Sequence, residues 1–337
     1  MSASEHHRQI REFTRPYTRK DDRIAAASYL GTYAVFFACL VGAALSWPSL
    51  WAFLPLSMLA GVAGVRLYVL QHDCGHHALF STRRANDIAG VGLSLVTLTP
   101  YRAMQYNHNV HHYYVGNLER RDTTEIHTMT RAEWEAASPV QRLGYRIYRN
   151  PAFLMLVGGV VVFFLQYRWP KNTVKEGLWR GVVAHNLMLA GFLVALWAGF
   201  GWPGVWAYLV AALTAAPIGV FLVYLQHNFE ETHWGRKPEL DFAEATLDGS
   251  SCLDLGWWFD LGTGCIAYHD IHHFNPAIPS YRLRRCHRAL REVVPMRTIR
   301  WPEAIRSFTL KLWDEEAGRL VPFPKSAERA ARAVAAE

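Results

Sequence analysis

The chain has 337 residues, of which 51% are hydrophobic, 13% are aromatic and only 19% are charged. Soluble proteins usually carry about 25% charged residues, so the composition favours a membrane protein. The net charge is +7, and because the basic residues flank apolar segments, it favours a membrane surface over nucleic acid as partner. The five cysteines are scattered, with no CxxC pair, which argues against a disulfide framework and a thiolate metal site.

The predicted elements begin with a polar, basic arm over residues 1–25, which shows no cleaved signal peptide. Crossing a hydrocarbon core of about 30 Å takes about 20 apolar residues, and four segments reach that length. The turn at 47–49 separates the first two, and 201–203 separates the last two, so each pair predicts a transmembrane helical hairpin. The four predicted spans are residues 26–47, 50–70, 181–200 and 202–225.

Two further apolar stretches, residues 88–100 and 151–166, are shorter. At about 1.5 Å per residue neither covers the full core, so both predict interfacial or re-entrant helices. If either crossed alone, it would place the histidine clusters described below on opposite sides of the membrane.

Positive charge predicts the orientation. Neither hairpin turn contains Lys or Arg, whereas the arm, the loop over residues 71–180 and the C-terminal region over residues 226–337 are rich in both. Such regions tend to be cytoplasmic. The prediction is therefore one all-α integral membrane domain over residues 1–337, with two transmembrane hairpins, short interfacial helices and a cytoplasmic histidine-rich cap.

Most of the 16 histidines fall in three clusters. Residues three or four apart on a helix share a face, so the members of one cluster can point at one ion. Neutral imidazole is a good ligand for first-row transition metals. A lone histidine on an apolar face is usually a core residue, but three clusters with this spacing predict a metal site. The clusters are His72, His76 and His77; His108, His111 and His112; and His269, His272 and His273.

The number of imidazoles indicates more than one metal ion. A catalytic zinc takes three protein ligands and keeps one position open, so eight or nine imidazoles suit two ions. Imidazole without thiolate favours iron, copper or zinc over magnesium or calcium.

The three clusters together resemble the histidine boxes of the membrane fatty acid desaturases. The extended motifs are QHDCGHH at residues 71–77, LTPYRAMQYNHNVHH at 98–112 and YHDIHHFNPAIPSYRL at 268–283. The second motif also resembles the acyl-lipid branch that includes delta-12 (omega-6) enzymes. The resemblance covers about residues 25–295.

This resemblance implies a non-haem centre of two iron ions on the cytoplasmic cap. The family also uses a histidine between its second and third boxes, and His227, at the end of the fourth span, matches that role. Either His76 or His77 can be the second ligand of the first box; His76 is the choice here, with His77 beside the centre. The implied metal ligands are His72, His76, His108, His111, His112, His227, His269, His272 and His273.

Two carboxylates, Asp73 and Asp270, each follow a box histidine. Such a carboxylate can orient a ligand imidazole through its other ring nitrogen, or it can be a solvated or capping residue. His185 lies inside a predicted span, where we expect a hydrogen-bonded core role. The other histidines are expected at surface or structural positions; they are His6, His7, His127, His233 and His287.

The implied activity is oxygen-dependent desaturation of a long acyl chain carried on lipid, coenzyme A or a carrier protein. No haem-attachment, iron–sulfur or dinucleotide-binding motif is present, so the electrons are expected from a separate ferredoxin-like or b-type cytochrome donor. The expected location is the bacterial cell inner membrane, as a multi-pass protein with its active site in the cytoplasm.

Three other functions fit parts of the pattern. A hydroxylase or ketolase on the same scaffold would share the first hydrogen abstraction. An intramembrane zinc protease would use the HxxxH spacing of the first box, but the Glu of HExxH is missing and two clusters would go unexplained. A metal-transport protein would need more polar residues inside its spans.

Overall fold

The computed structural model describes residues 3–121, 126–169, 177–237 and 240–324, and these are mostly helical. The helices are α1 (Ala3–Thr14), α2 (Asp22–Ser46), α3 (Leu50–Gly75), α4 (Arg83–Thr97), α5 (Tyr101–Tyr114), α6 (Arg131–Ala136), α7 (Pro139–Tyr148), α8 (Pro151–Arg168), α9 (Trp179–Phe200), α10 (Trp202–His227), α11 (Phe242–Leu247), α12 (Trp257–Gly262), α13 (His269–Phe274), α14 (Ser280–Leu290) and α15 (Trp301–Ser307). A 3₁₀ turn at Arg15–Thr18 follows α1.

Two small sheets accompany the helices, which the all-α prediction did not include. In the parallel pair, β1 (Cys252–Leu253) lies beside β2 (Thr298–Ile299), with Cys252 opposite Thr298. In the antiparallel pair, β3 (Leu312–Asp314) lies beside β4 (Arg319–Val321). Both sheets belong to the part of the chain after α10, so the helical character of the four predicted spans is unaffected.

The four predicted spans are helices α2, α3, α9 and α10. The first begins earlier than expected because Asp21 caps it, accepting hydrogen bonds from the backbone N–H groups of Arg23 (3.0 Å) and Ile24 (3.4 Å). The second span, α3, continues to Gly75, so the first histidine box begins in the last turn of this helix. Many apolar side chains of these helices remain exposed, as a lipid-facing surface requires.

Helix α8 departs from the prediction of a segment too short to span. It is helical over 18 residues, with π-helical stretches at Leu154–Gly158 and Val161–Leu165. Among the described residues, five helices rather than four are therefore long and apolar enough to cross a membrane. The expected length was wrong because Tyr167 and Arg168 prolong the helix in a final 3₁₀ turn.

Close packing of α3 against α10 brings two histidine-bearing helix ends together. At Gly61 an added Cβ would lie 2.6 Å from the Ala211 carbonyl oxygen, so only glycine allows this approach. A first apolar core lies inside the helical bundle. The elements that follow α10 form a second apolar core beside the ends of α3 and α10. The histidine clusters lie where this core meets the helical bundle.

Candidate metal centre

The histidines of the second and fourth predicted spans lie at helix ends. His72 is in the last turn of α3, and His76 follows directly as the C-terminal cap of that helix. His227 is the final residue of α10. Because both helices end on the same side of the bundle, their imidazoles meet without any long loop between them.

Two short helices supply the remaining imidazoles. Helix α5 carries the second histidine box and α13 carries the third. Each box has the form HxxHH, in which the outer two histidines are four residues apart and share a helix face, while the middle one points elsewhere. In both boxes the outer pair belongs to one group of imidazoles and the middle histidine belongs to the other group. The three histidines of a box therefore do not share one group, although their spacing alone allowed it.

Among the described residues, nine histidines form two groups in which one ligand atom from each residue lies within 4.8 Å of those of all the others. Each of the nine histidines that the family resemblance implies as metal ligands belongs to one of these groups. The first group is His72, His76, His108, His112 and His272. The second group is His111, His227, His269 and His273.

The imidazole nitrogens within and between these groups are very close. In the first group, Nε2 of His112 lies 2.9 Å from Nε2 of His108 and 3.1 Å from that of His272. In the second, the Nε2–Nε2 distances are 3.1 Å for His111–His273, 3.0 Å for His273–His269 and 3.2 Å for His269–His227. The rings of His112 and His273, one from each group, stack with centroids 4.1 Å apart, so the two groups adjoin.

Burial keeps six of these imidazoles neutral. It lowers the pKa of each of six ring systems well below the ordinary histidine value, and the neighbouring histidines lower it further. A neutral imidazole has a free lone pair for a metal ion, so the electrostatics favour ligation. The six are His76, His108, His112, His269, His272 and His273.

The donor set fits transition-metal ions. All nine ligand atoms are imidazole nitrogens, and neither group includes a carboxylate or thiolate from the described residues. The buried Nε2 atoms of His72 and His76 have no hydrogen-bond partner there. Since buried polar atoms are almost always satisfied, converging unsatisfied nitrogens indicate a site for a cation.

Comparison with known proteins identifies the family to which most of the chain is similar. Residues 48–304 match the family model described as fatty acid desaturase. The chain belongs to the fatty acid desaturase family. The chain is 30% identical to a fatty acid desaturase of Bacillus subtilis (strain 168), over 94% of this chain and 89% of the relative. It is 25% identical to the sn-1 oleoyl-lipid 12-desaturase of Synechocystis, over 72% of this chain and 69% of the relative.

The residues expected beside the ligands behave differently from one another. Asp73 accepts a hydrogen bond from the backbone N–H of Ser280 (2.7 Å) and so holds the start of α14, while its other oxygen lies 3.7 Å from Nδ1 of His72, beyond hydrogen-bond distance. Asp270 lies 3.5 Å from Nε2 of His287 and accepts from the N–H of Ile271. The described contacts of Asp270 are therefore with residues outside the two groups.

His77 also lies outside both groups. Its Nε2 is 3.1 Å from a carboxylate oxygen of Asp87, and Asp87 in turn accepts hydrogen bonds from Arg102 and Tyr101. Burial acts to raise the pKa of Asp87, but the hydrogen bonds from Arg102, His77 and Tyr101 outweigh it and lower the pKa.

Two supporting features of the site carry no signal in the sequence. Arg149, although fully buried, donates hydrogen bonds to the side chains of Thr128 (2.8 Å) and Asn228 (2.5 Å), the latter next to His227. His287, expected at a surface or structural position, is buried against Asp270. Both partnerships join residues far apart in the chain, and without the fold nothing distinguishes these side chains from ordinary surface ones.

The expectation for His185 is confirmed. Its Nδ1 accepts a hydrogen bond from Arg168 (2.7 Å), and its Nε2 donates to the carbonyl oxygen of Ser94 (2.7 Å). This histidine is a hydrogen-bonded core residue of α9, away from both groups of imidazoles.

Proposed function

We propose that this desaturase introduces a double bond into a long acyl chain, in a reaction that uses dioxygen and two iron ions. The observation that carries the proposal is the division of nine closely packed imidazoles, six of them buried, into two adjoining groups, one for each ion. His72, His76, His108, His112 and His272 would hold one iron, and His111, His227, His269 and His273 the other. Bound iron would supply the activation of dioxygen that removal of hydrogen from an unactivated methylene demands.

The chain's own residues position and enclose the reaction. The histidines on the ends of α3 and α10 place the centre where a bilayer-embedded acyl chain can reach it. The second apolar core closes over the centre, with Ile271 and Phe274 of α13 among its buried members. Burial of most of these imidazoles limits the access of water to the centre and holds the rings in fixed geometry.

The shared centre supports a topology of four spans. His111 on α5 and His227 on α10 belong to one group, so the chain between them crosses the bilayer an even number of times. Helices α9 and α10 account for two crossings, and a crossing by α8 would make three. We therefore assign α8 to the interface, and the basic arm, loop and C-terminal region place the centre in the cytoplasm. A bacterial inner membrane is the expected location.

Electrons for the reaction would come from a separate protein, either ferredoxin-like or a b-type cytochrome. The exposed cations of the cytoplasmic regions suit an acidic partner, since complementary charge speeds and orients association. Relatives such as the sn-1 oleoyl-lipid 12-desaturase of Synechocystis make an acyl group carried on lipid the first substrate to test.

The test is expression in a bacterial host that lacks the activity but contains a competent electron donor, followed by mass spectrometry of the fatty acids. The expected product is two mass units lighter than its saturated or monounsaturated precursor, and it should require oxygen. A His269→Ala variant, which removes one proposed ligand, serves as the inactive control. Unchanged fatty acids from iron-loaded wild-type protein would refute the proposal, and a hydroxylated product would assign the alternative chemistry.

A further inference from the structure

A basic cavity lies where the N-terminal arm meets α2 and α14. Its volume is about 720 Å³, and it opens to the outside. Four cationic side chains line it, namely Arg19, Lys20, Arg23 and Arg282. The cavity lies apart from the imidazoles of the metal centre, none of which lines it, and the proposed desaturase chemistry does not use it.

The two carboxylates in the lining are already engaged. Asp21 caps α2 through the N–H groups of Arg23 and Ile24. Asp22 accepts hydrogen bonds from the N–H (2.7 Å) and the hydroxyl (2.5 Å) of Ser81. Neither carboxylate forms an ion pair with a cation of the cavity, so the positive charge there remains uncompensated.

The cations themselves have no partners within the described part of the chain. None of the four side chains takes part in a hydrogen bond or an ion pair there, and the Nε atom of Arg282 is buried without a partner. Arginine and lysine gather in this way around a phosphate, to which guanidinium groups donate paired hydrogen bonds.

The position of the cavity indicates which phosphate it would meet. Arg23 is in the first turn of α2, so the cavity lies beside the point where that helix enters the bilayer. Two hydrogen bonds fix the α14 side of the cavity to the bundle. The N–H of Asp21 donates to the hydroxyl of Tyr281 (2.8 Å), and the N–H of Ser280 donates to the carboxylate of Asp73. Cations at this level of a transmembrane helix lie at the depth of lipid headgroups.

We propose that this cavity binds the headgroup phosphate of a membrane phospholipid, with Lys20 and Arg282 as its principal contacts. These two side chains are half-buried, whereas Arg19 and Arg23 are exposed, so Lys20 and Arg282 form the floor and the other two form the rim. The site needs neither iron nor catalytic activity to bind its ligand.

The test measures lipid binding to purified full-length protein by native mass spectrometry. Phosphatidylglycerol is compared with monogalactosyldiacylglycerol of the same acyl chains, which has no phosphate. Removing a surface cation near a headgroup costs about fivefold in affinity, so the double variant Lys20→Gln/Arg282→Gln should bind phosphatidylglycerol about 25-fold more weakly. Its binding of the galactolipid should equal that of the wild type.

Matched controls separate this site from general charge and from misfolding. Arg285→Gln removes an exposed arginine of α14 that does not line the cavity, and it should leave phosphatidylglycerol binding unchanged. If the double variant is unfolded, Arg282→Gln is compared with Arg282→Lys, which keeps the charge and should retain most of the affinity.

Several outcomes would overturn the proposal. They are equal binding of the two lipids by the wild type, unchanged phosphatidylglycerol binding by the double variant, and an equal loss with Arg285→Gln. Displacement of the lipid by inorganic phosphate or coenzyme A at comparable concentrations would assign the cavity to a soluble phosphate instead. Because binding is measured without turnover, a failure here leaves the desaturase proposal standing, and an inactive enzyme leaves this one standing.

Discussion

Replacement of His227 by alanine should remove one iron ion and leave the other. His227 is one of the four imidazoles of the second group, whereas the first group has five. The substitution leaves three ligands in the second group, while the first keeps its full set. The two proposed iron sites should therefore differ in their response to this single change.

The size of the effect follows from the loss of a direct ligand. Mutation of a residue that merely supports a metal ligand costs about 10–100-fold in affinity, or about 1.4–2.8 kcal/mol. Nε2 of His227 is 3.2 Å from Nε2 of His269, and its ring centroid is 4.8 Å from that of His273. A ring so close to the other donors should cost at least this amount when it is removed.

The assay is the iron content of each purified protein, measured by inductively coupled plasma mass spectrometry across a series of chelator concentrations. The variant should lose half of its iron at a chelator concentration at least about tenfold below that needed for the wild type. His233→Ala is the matched control, because His233 follows closely in the chain but belongs to neither group. Full retention of iron by His227→Ala, or loss of both ions in one step, would refute the division into two sites.

Three further predictions concern the surroundings of the site. His77→Ala should keep both ions, because His77 pairs with Asp87 outside the groups, whereas His76→Ala should weaken iron binding by chelator titration; the reverse result would make His77 the ligand. Asp73→Ala should destabilise the protein by about 1–3 kcal/mol in thermal unfolding, since it leaves the buried N–H of Ser280 unpaired, and an unchanged midpoint would contradict that role. Burial, assisted by the nearby Arg149, lowers the pKa of Lys311 from 10.5 to about 8; the unfolded chain therefore holds more protons between these values, so stability should rise with pH across that window, and Lys311→Met should flatten the rise.

The grouped histidines and the four longest apolar helices could be predicted from sequence because their signals are local. Residues three or four apart on one helix share a face, so the spacing allowed all three histidines of a box to point at one ion. The structure keeps only the pairs His108–His112 and His269–His273 together. Long apolar runs ending in histidines placed α3 and α10 with their ends at the centre. His227 was recognisable only through the resemblance to the family, since a single histidine at a helix end has no spacing to distinguish it.

The supporting contacts could not be predicted because they join distant residues. The pairing of Asp270 with His287 crosses from α13 to α14, and that of Arg149 with Asn228 spans 79 positions. Which imidazoles of different boxes share an ion depends in the same way on how α5, α10 and α13 pack. Sequence spacing gives the faces of each helix, but only tertiary packing shows which faces meet.

The most direct test of the central claim is anomalous X-ray diffraction at the iron absorption edge from crystals of the iron-loaded protein. We expect two iron peaks, one surrounded by the imidazoles of His72, His76, His108, His112 and His272 and the other by those of His111, His227, His269 and His273. A single peak, or iron bound away from either group, would contradict the account.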